Sequence, residues 1–252
     1  MAQSNKILLC GIQQKDTRVN EDGSYASFIL KTTIGPRNDG VNKRYRYIYT
    51  VIISRDPDII KKMADTKEND LIYIKGVIVT RNVKKVSYCT VCKTENITDG
   101  QIVYCEPIYL ERLKSVNKED AQAVLAEHEE ISNEARIIGN VCADPISITD
   151  KRGKKSTKYH LAITRSYRLK NSTEDEKTDF PVVHSYGDNA AEDMLHIKEG
   201  TRVFIDGYLQ GYKKDVPVKC CGCGLEYIYK DARMEIIPYE TEYLKDFAMP
   251  EK

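Results

Sequence analysis

Apolar and polar positions alternate along much of this chain. The alternation runs in short stretches separated by clusters of turn residues, which is the pattern of strands. The first stretch, Asn5 to Gly11, ends in glycine and predicts an opening strand. Ser24 to Ile34 predicts a second, closed by Gly35-Pro36-Arg37-Asn38-Asp39-Gly40. In the third, Tyr45, Tyr47, Tyr49, Val51 and Ile53 share one face, and Arg46, Ile48, Thr50 and Ile52 the other. Asp56-Pro57 then starts a short helix to about Ala64, with Asp56 as cap and Pro57 at its first position. Asp70 to Arg81 and Gln101 to Leu113 predict the fourth and fifth strands, with Gly76 at a bulge or sharp bend.

Between Asn117 and Ser132 the character changes. Ala, Glu and Gln dominate, and Val124, Leu125 and Ile131 form a partial helical stripe, so a linking helix packed on one face is expected. The strand pattern then returns. Arg136–Val141, Thr157–Arg165 and Asp179–Ser185 predict three strands, with a turn at Asp150 to Gly153. Asp188–His196 predicts a helix, and Thr201–Tyr212 and Arg233–Leu244 two more strands. Each half reads as five strands with a helix between the third and fourth.

The halves are copies of each other. IKGVIVTRNVKKVSYCTVC (Ile74 to Cys92) has its counterpart in IDGYLQGYKKDVPVKCCGC (Ile205 to Cys223). Gly76 and Gly207, Cys89 and Cys220, and Cys92 and Cys223 are each 131 residues apart, as are Met63 and Met194, Pro107 and Pro238, and Leu113 and Leu244. One gap-free offset through these points marks an internal repeat. The expected fold is all-β: two tandem OB-fold barrels, each five-stranded and Greek-key, with short helices and a linking helix. The expected domains are residues 1–114, a linker at 115–133, and residues 134–252.

The second copy carries RIIGNV (136–141), LAITRSY (161–167), TDFPVV (178–183), YGDNAAE (186–192) and IKEGTRVFIDGYLQ (197–210), in that order. By these segments it resembles the bacterial single-stranded DNA-binding protein family. The resemblance implies sequence-tolerant coating and protection of single-stranded DNA in replication, recombination, or mobile-element and phage DNA processing. It also implies aromatic residues stacking on bases, at Tyr167, Phe180, Tyr186 and Tyr212. The first copy resembles the family faintly. The repeat places Pro36, Tyr49, Arg55 and Arg81 at the same positions, so one aromatic is retained. Tyr45 and Tyr47 share a face with Tyr49, and Arg55 and Arg81 offer guanidinium planes or phosphate partners. Two features depart from the family: no Gly/Pro-rich tail with an acidic, Phe-tipped end, and an added cysteine hairpin. Family members typically use four barrels, which implies a homodimer here, with replication or recombination proteins as further partners.

Composition narrows the classes. With 41% hydrophobic and 31% charged residues, the 252-residue chain reads as globular and large enough for two domains. No apolar run approaches a membrane span, and MAQSNKILLCG does not read as a signal peptide. The expectation is a cytoplasmic, nucleoid-associated protein. The net charge of +1 neither requires nor excludes nucleic acid, since a basic groove can be balanced elsewhere. Arg165, Arg168 and Lys213 join the aromatics as candidate DNA contacts. For Tyr45, Tyr47 and Tyr49 two readings stay open, a stacking platform or the core side of the strand, because alternation does not say which face is inside.

The eight cysteines are read as reduced. Two C-x-x-C pairs at one place in the repeat favour structural zinc, which takes four ligands in a tetrahedron. Neither copy holds four thiolates in one place. Cys89, Cys92, Cys220 and Cys223 would share one Zn²⁺ if the hairpins met about a pseudo-two-fold axis. Separate sites, completed by Cys105 or Cys221, are the alternative. Cys10 and Cys142 read as core residues. The four histidines lack metal or triad spacing, so no enzyme is expected. The competing function is an assembly protein, primosome-like, whose barrels mainly bind proteins.

Overall fold

The computed structural model describes residues 4–35, 45–165 and 178–245. The first half contains β1 (Ser4–Gln13), β2 (Arg18–Val19), β3 (Ala26–Ile34), β4 (Arg46–Ser54), α1 (Pro57–Ala64), β5 (Asp70–Tyr88) and β6 (Glu95–Ser115). Helices α2 (Ala121–Glu127) and α3 (Glu129–Ser132) link it to β7 (Asn133–Val141), β8 (Ile146–Thr149) and β9 (Lys155–Thr164). Then come β10 (Thr178–Asp179), β11 (Val182–Tyr186), α4 (Asp188–His196), β12 (Arg202–Lys219) and β13 (Glu226–Lys245). Each half closes a five-stranded barrel in the same way. A meander is completed by one parallel contact, Ile52 beside Cys105 in the first half and Val183 beside Ile236 in the second.

The repeat explains the paired glycines. A Cβ on Gly76 would lie 2.6 Å from both Cys105 Sγ and the Glu106 carbonyl oxygen, and one on Gly207 would lie 2.2 Å from the Ile237 carbonyl oxygen. Both sit where β5/β6 and β12/β13 shift register, so the expected bulge at Gly76 is present in both copies. The 131-residue offset does not hold in the opening strands. Ile7 pairs with Gly76 and Ala135 with Gly207, so there the offset is 128. The missing three residues lie in the β8–β9 hairpin: six residues separate the paired Val19 and Ala26, and nine separate the equivalent Ser147 and Thr157.

The barrels are one continuous sheet. β1 lies antiparallel to β7, with Ser4 opposite Ile138 and Leu9 opposite Asn133. Ile7, Leu9, Ala135 and Ile137 are fully buried at this seam and join a single apolar core reaching into both barrels. Two asparagines at equivalent positions tie each seam strand to its own barrel. Asn5 Nδ2 donates to the Ile78 carbonyl at 3.0 Å while its Oδ1 accepts the Ile78 N–H at 2.8 Å. Asn133 makes the same pair with Leu209, both at 3.0 Å.

The linker differs from the single helix expected. His128 leaves helical geometry (φ −110°, ψ 17°), and its Nδ1 lies 2.8 Å from the Val124 carbonyl oxygen. Val124 and Leu125 pack against Cys10, Ile12 and Leu71, with Tyr47 and Tyr73 alongside. Ser132 Oγ donates to the Cys10 carbonyl at 2.7 Å and accepts the Thr33 N–H at 2.9 Å, tying the linker to the first barrel. Cys10 is buried as expected, but Cys142 is half-exposed.

Asn133→Leu is expected to destabilise the chain by about 1–3 kcal/mol, because it strips two buried backbone groups of their partner. The check is a denaturant midpoint. A midpoint equal to the parent's would show that the amide pair does not hold β7 to β12.

Candidate nucleic-acid interface and metal centre

Strand periodicity sets the exterior of the second barrel. Leu209 points into the core, so Tyr208, Gln210 and Tyr212 point outward. Their cross-strand partners on β13 are Ile237, Glu235 and Arg233. β11 and β9 add His184, Tyr186 and Lys158, with His184 opposite Lys158. Glu235 is buried at the centre of this face, its Oε2 3.2 Å from both Lys158 Nζ and His184 Nδ1. Tyr186 stacks on His184 with ring centroids 4.3 Å apart, and Lys158 Nζ stands 4.6 Å from the Tyr212 ring centroid. The buried acid is thereby balanced by a cation and an imidazole, and two aromatic rings are held at its rim. Tyr186 and Phe180 are exposed, and Tyr212 half-exposed, as stacking requires. Lys213 is exposed at the next position of β12.

The two barrels touch on both sides of the seam, in pseudo-equivalent ways. On one side β4 of the first barrel meets β12 of the second. Arg46 Nη2 donates to Tyr208 Oη at 3.1 Å and to Gln210 Oε1, and Ile34 and Ile48 pack with Tyr208 and Ile237. A groove of about 770 Å³ opens here, lined by Arg46, Lys154, Lys155, Tyr186, Tyr208 and Gln210 among others. On the other side β10 meets β5. The Thr80 N–H donates to Asp179 Oδ1 at 2.8 Å, and the Phe180 N–H donates to Thr80 Oγ1 at 2.9 Å.

The first barrel's corresponding exterior is buried at its centre, as Tyr208 and Glu235 are in the second. Val77 and Val79, which stand where Tyr208 and Gln210 stand in the second copy, are fully buried with Tyr104. Arg55 Nη1 donates to Tyr104 Oη at 3.1 Å. Burial pushes the Glu106 carboxyl up, against the pull of Arg55, Arg165 and Arg81. Arg165 is buried, its Nε 2.7 Å from Asp179 Oδ2. Burial likewise pushes Asp179 up despite its hydrogen bonds from Thr80 and the charge of Arg165.

The residues predicted to touch DNA therefore divide. Tyr49 is exposed on the outward face of β4, with its backbone carbonyl oxygen 4.0 Å from where a Cβ on Gly211 would be, next to Tyr212. Tyr45 is half-buried just before that strand. Tyr47 is packed under the linking helices with Lys31 Nζ 4.1 Å from its ring centroid, so the linker occupies the surface expected to stack. Arg55, Arg81 and Arg165 belong to the polar cluster between the barrels, not to an open groove. Tyr167 and Arg168 lie outside the described residues. The groove around Arg46, Tyr208 and Gln210 was not foreseen. The outward alternation of Tyr208, Gln210 and Tyr212 signalled part of it, but Arg46 reaches it from the other copy.

Beyond the barrels both β5/β6 and β12/β13 run on as arms. They extend past the predicted strand ends at Arg81 and Tyr212 to Tyr88 and Lys219. The arms pack on each other. Lys85 Nζ lies 2.6 Å from Asp231 Oδ1, Ser87 Oγ lies 2.8 Å from Tyr227 Oη, and Asn96 Oδ1 accepts the Cys221 N–H at 2.9 Å. Matching turns tip both arms. The Lys93 N–H returns to the Cys89 carbonyl and the Gly224 N–H to that of Cys220, with φ of 61° at Lys93 and 74° at Gly224.

These turns bring the four predicted cysteines together. The Sγ atoms of Cys89, Cys92, Cys220 and Cys223 all lie within 4.8 Å of one another. Cys89 and Cys223 are 3.7 Å apart, and Cys92 and Cys220 3.4 Å. A tetrahedral ion with bonds of about 2.3 Å requires ligand separations of about 3.8 Å, so the cluster could hold a metal. Hydrogen bonds with Thr94 lower the pKa of the Cys92 thiol to about 6, and backbone hydrogen bonds also lower that of Cys220. For Cys223 the Leu225 backbone works downward, but Cys92, burial and Cys220 outweigh it and push the thiol up to about 12. Four crowded thiols cannot all ionise without a cation among them, which is the condition a metal satisfies. Cys105 cannot complete a separate site, because it is buried inside the first barrel against Gly76. Cys221 stands outside the cluster, its Sγ 3.6 Å from the Glu95 carbonyl oxygen. Among the described residues this is the sole cluster of three or more such ligands, and none of their helices is long and apolar enough to cross a membrane.

Residues 132–218 match the model of the single-strand binding protein family. The match ends before Cys220. No curated protein sequence matches. Among solved structures, the wild-type single-stranded DNA binding protein from Thermus aquaticus is 14% identical, with a TM-score of 0.64 over 97% of this chain and 95% of that one. A deletion mutant of the same protein is 15% identical, with a TM-score of 0.64 over the whole of both chains. The all-β OB-fold architecture and the resemblance to single-stranded DNA-binding proteins are both borne out.

The arms yield a pH dependence. Burial pushes Asp231 up, but Lys85 and Arg233 outweigh it and hold its carboxyl below the usual range. A depressed carboxyl stabilises the fold above its unfolded value of about 4, and that contribution is lost as pH falls through the folded value. Amide exchange in the arms is expected to accelerate below about pH 4 before exchange in the barrels does. Asp231→Asn should bring that acceleration to neutral pH. Arms as protected in the variant as in the parent would remove the Lys85–Asp231 pair from the account.

Proposed function

We propose that this chain is a sequence-tolerant single-stranded DNA-binding protein, not an enzyme, acting in the cytoplasm on strands exposed in replication, recombination or mobile-element processing. The observation that carries the reading is the exterior of the second barrel. Exposed Tyr186 and half-exposed Tyr212 sit beside Lys158 and the basic groove, inside the segment that matches the family. Bases offer flat faces and the backbone offers charge, so rings flanked by cations suit any sequence, with stacking worth about 1–3 kcal/mol per base. Phe180 and Tyr49 extend the aromatic set, and Lys213 adds charge at its edge.

The purified chain is expected to bind oligothymidine far more tightly than duplex, with affinity falling as salt rises. Tyr186→Ala with Tyr212→Ala should weaken binding at least about tenfold in a fluorescence titration. Parent-like affinity in the double variant would show that bases stack elsewhere.

The four-cysteine cluster is read as one structural Zn²⁺ shared between the copies. Cys89 and Cys92 would supply two bonds and Cys220 and Cys223 the other two, so the ion clamps the arms rather than either barrel alone. The chain is read as half of a four-barrel homodimer. Native mass spectrometry checks both: two chains and two zinc ions per particle are expected, and Cys89→Ser should release the ion as fully as Cys220→Ser. A chain that keeps its zinc after either substitution would contradict the shared site.

A further inference from the structure

The two copies have equivalent exteriors whose centres are buried alike, Tyr208, Glu235 and Ile237 in the second as Val77, Tyr104 and Glu106 in the first, and they differ at the junctions. In the second copy Tyr208, Gln210 and Tyr212 lead from the junction to the aromatic rim. In the first, Val77 and Val79 are buried, and Thr80 is held by Asp179 and Phe180 of the other copy. Tyr104 and Glu106 are buried beside them, with Arg55, Arg81 and Arg165 gathered around Glu106.

The open junction also carries the length difference between the copies. The longer turn between β8 and β9 is shaped by Asp150, whose Oδ1 accepts the N–H groups of Arg152 and Lys154, both at 2.8 Å. That turn delivers Lys154 and Lys155, both exposed, to the wall of the groove shared with Arg46. The first copy has Gly23 and Ser24 at the equivalent positions. Arg46 uses Nη2 for Tyr208 and Gln210, and a guanidinium carries three further N–H donors.

We propose that single-stranded DNA follows one path per chain, across the second barrel's exterior and into the junction groove, where Lys154, Lys155 and Arg46 take its phosphates. The first barrel's surface around Val79, Thr80 and Tyr104 takes no strand and holds the second barrel in place, while Tyr49 borders the path beside Tyr212. This rests on the reading of the chain as a single-stranded DNA-binding protein.

The test is a titration of the full chain with oligothymidine over a range of salt. Lys154→Ala with Lys155→Ala should flatten the dependence of log affinity on log salt by about 0.7 for each phosphate left unpaired, about 1.4 for the two. Lys61→Ala with Lys67→Ala removes the same charge from exposed positions on and after α1, and should leave the slope unchanged. An oligomer of roughly 8 nucleotides, within the span of one barrel, should saturate at one per chain. An unchanged slope in the Lys154/Lys155 variant, or an equal fall in the control, overturns the groove. Two short oligomers per chain overturn the single path. If the parent binds no oligothymidine, the underlying reading fails as well, and that outcome is distinct because it precedes any variant.

Discussion

The pairing of β1 with β7 is the constraint on which the rest depends. It turns two barrels into one sheet, and the fully buried Ile7, Leu9, Ala135 and Ile137 make the seam part of a common core. Backbone hydrogen bonds fix its register, and a slip by one residue would turn those side chains to the wrong face. Asn5 and Asn133 tie each of the two strands to the next strand of its own barrel, β1 to β5 and β7 to β12. With the seam set, β4 must meet β12 and β10 must meet β5, and the two arms must run out side by side.

Pseudo-symmetry places these meetings, and side chains decide what they do. At one junction Arg46 bridges to Tyr208 and Gln210 and a basic groove remains open. At the other, Asp179 and Phe180 close on Thr80, and Arg165 is held by Asp179. An ion pair as buried as Arg165–Asp179 is weak evidence of stability, since desolvation offsets much of the attraction, but removing either partner would strand a charge. The same geometry thus supports a closed interface on one side and an open basic groove on the other.

Much of this was legible in the sequence. The strands, the helix of each barrel and the bulge glycines follow from periodicity and turn chemistry, and the repeat put the two C-x-x-C pairs where they could meet. What was hidden depends on packing between the copies. Alternation puts Tyr47 and Tyr49 on one face, but only packing shows that the linking helices cover Tyr47. Arg165 reads as a surface cation in the sequence and becomes interior once Asp179 is brought to it. The offset of 128 in the opening strands leaves no trace in the matched landmarks, which all lie later in the chain. The arms run past their predicted ends because Lys84–Asp99 and Asp215–Lys230 cross-strand pairs continue ladders whose residues look too polar for strands.

The arms meet away from the seam, and this has a consequence for recognition. Two barrels in contact only around their seam could still rock about it, and a ligand touching both would then lose affinity in immobilising them. A second attachment at the arm tips removes that freedom before any ligand arrives. The ordering happens during folding instead, so a ligand spanning both barrels would meet a frame already set.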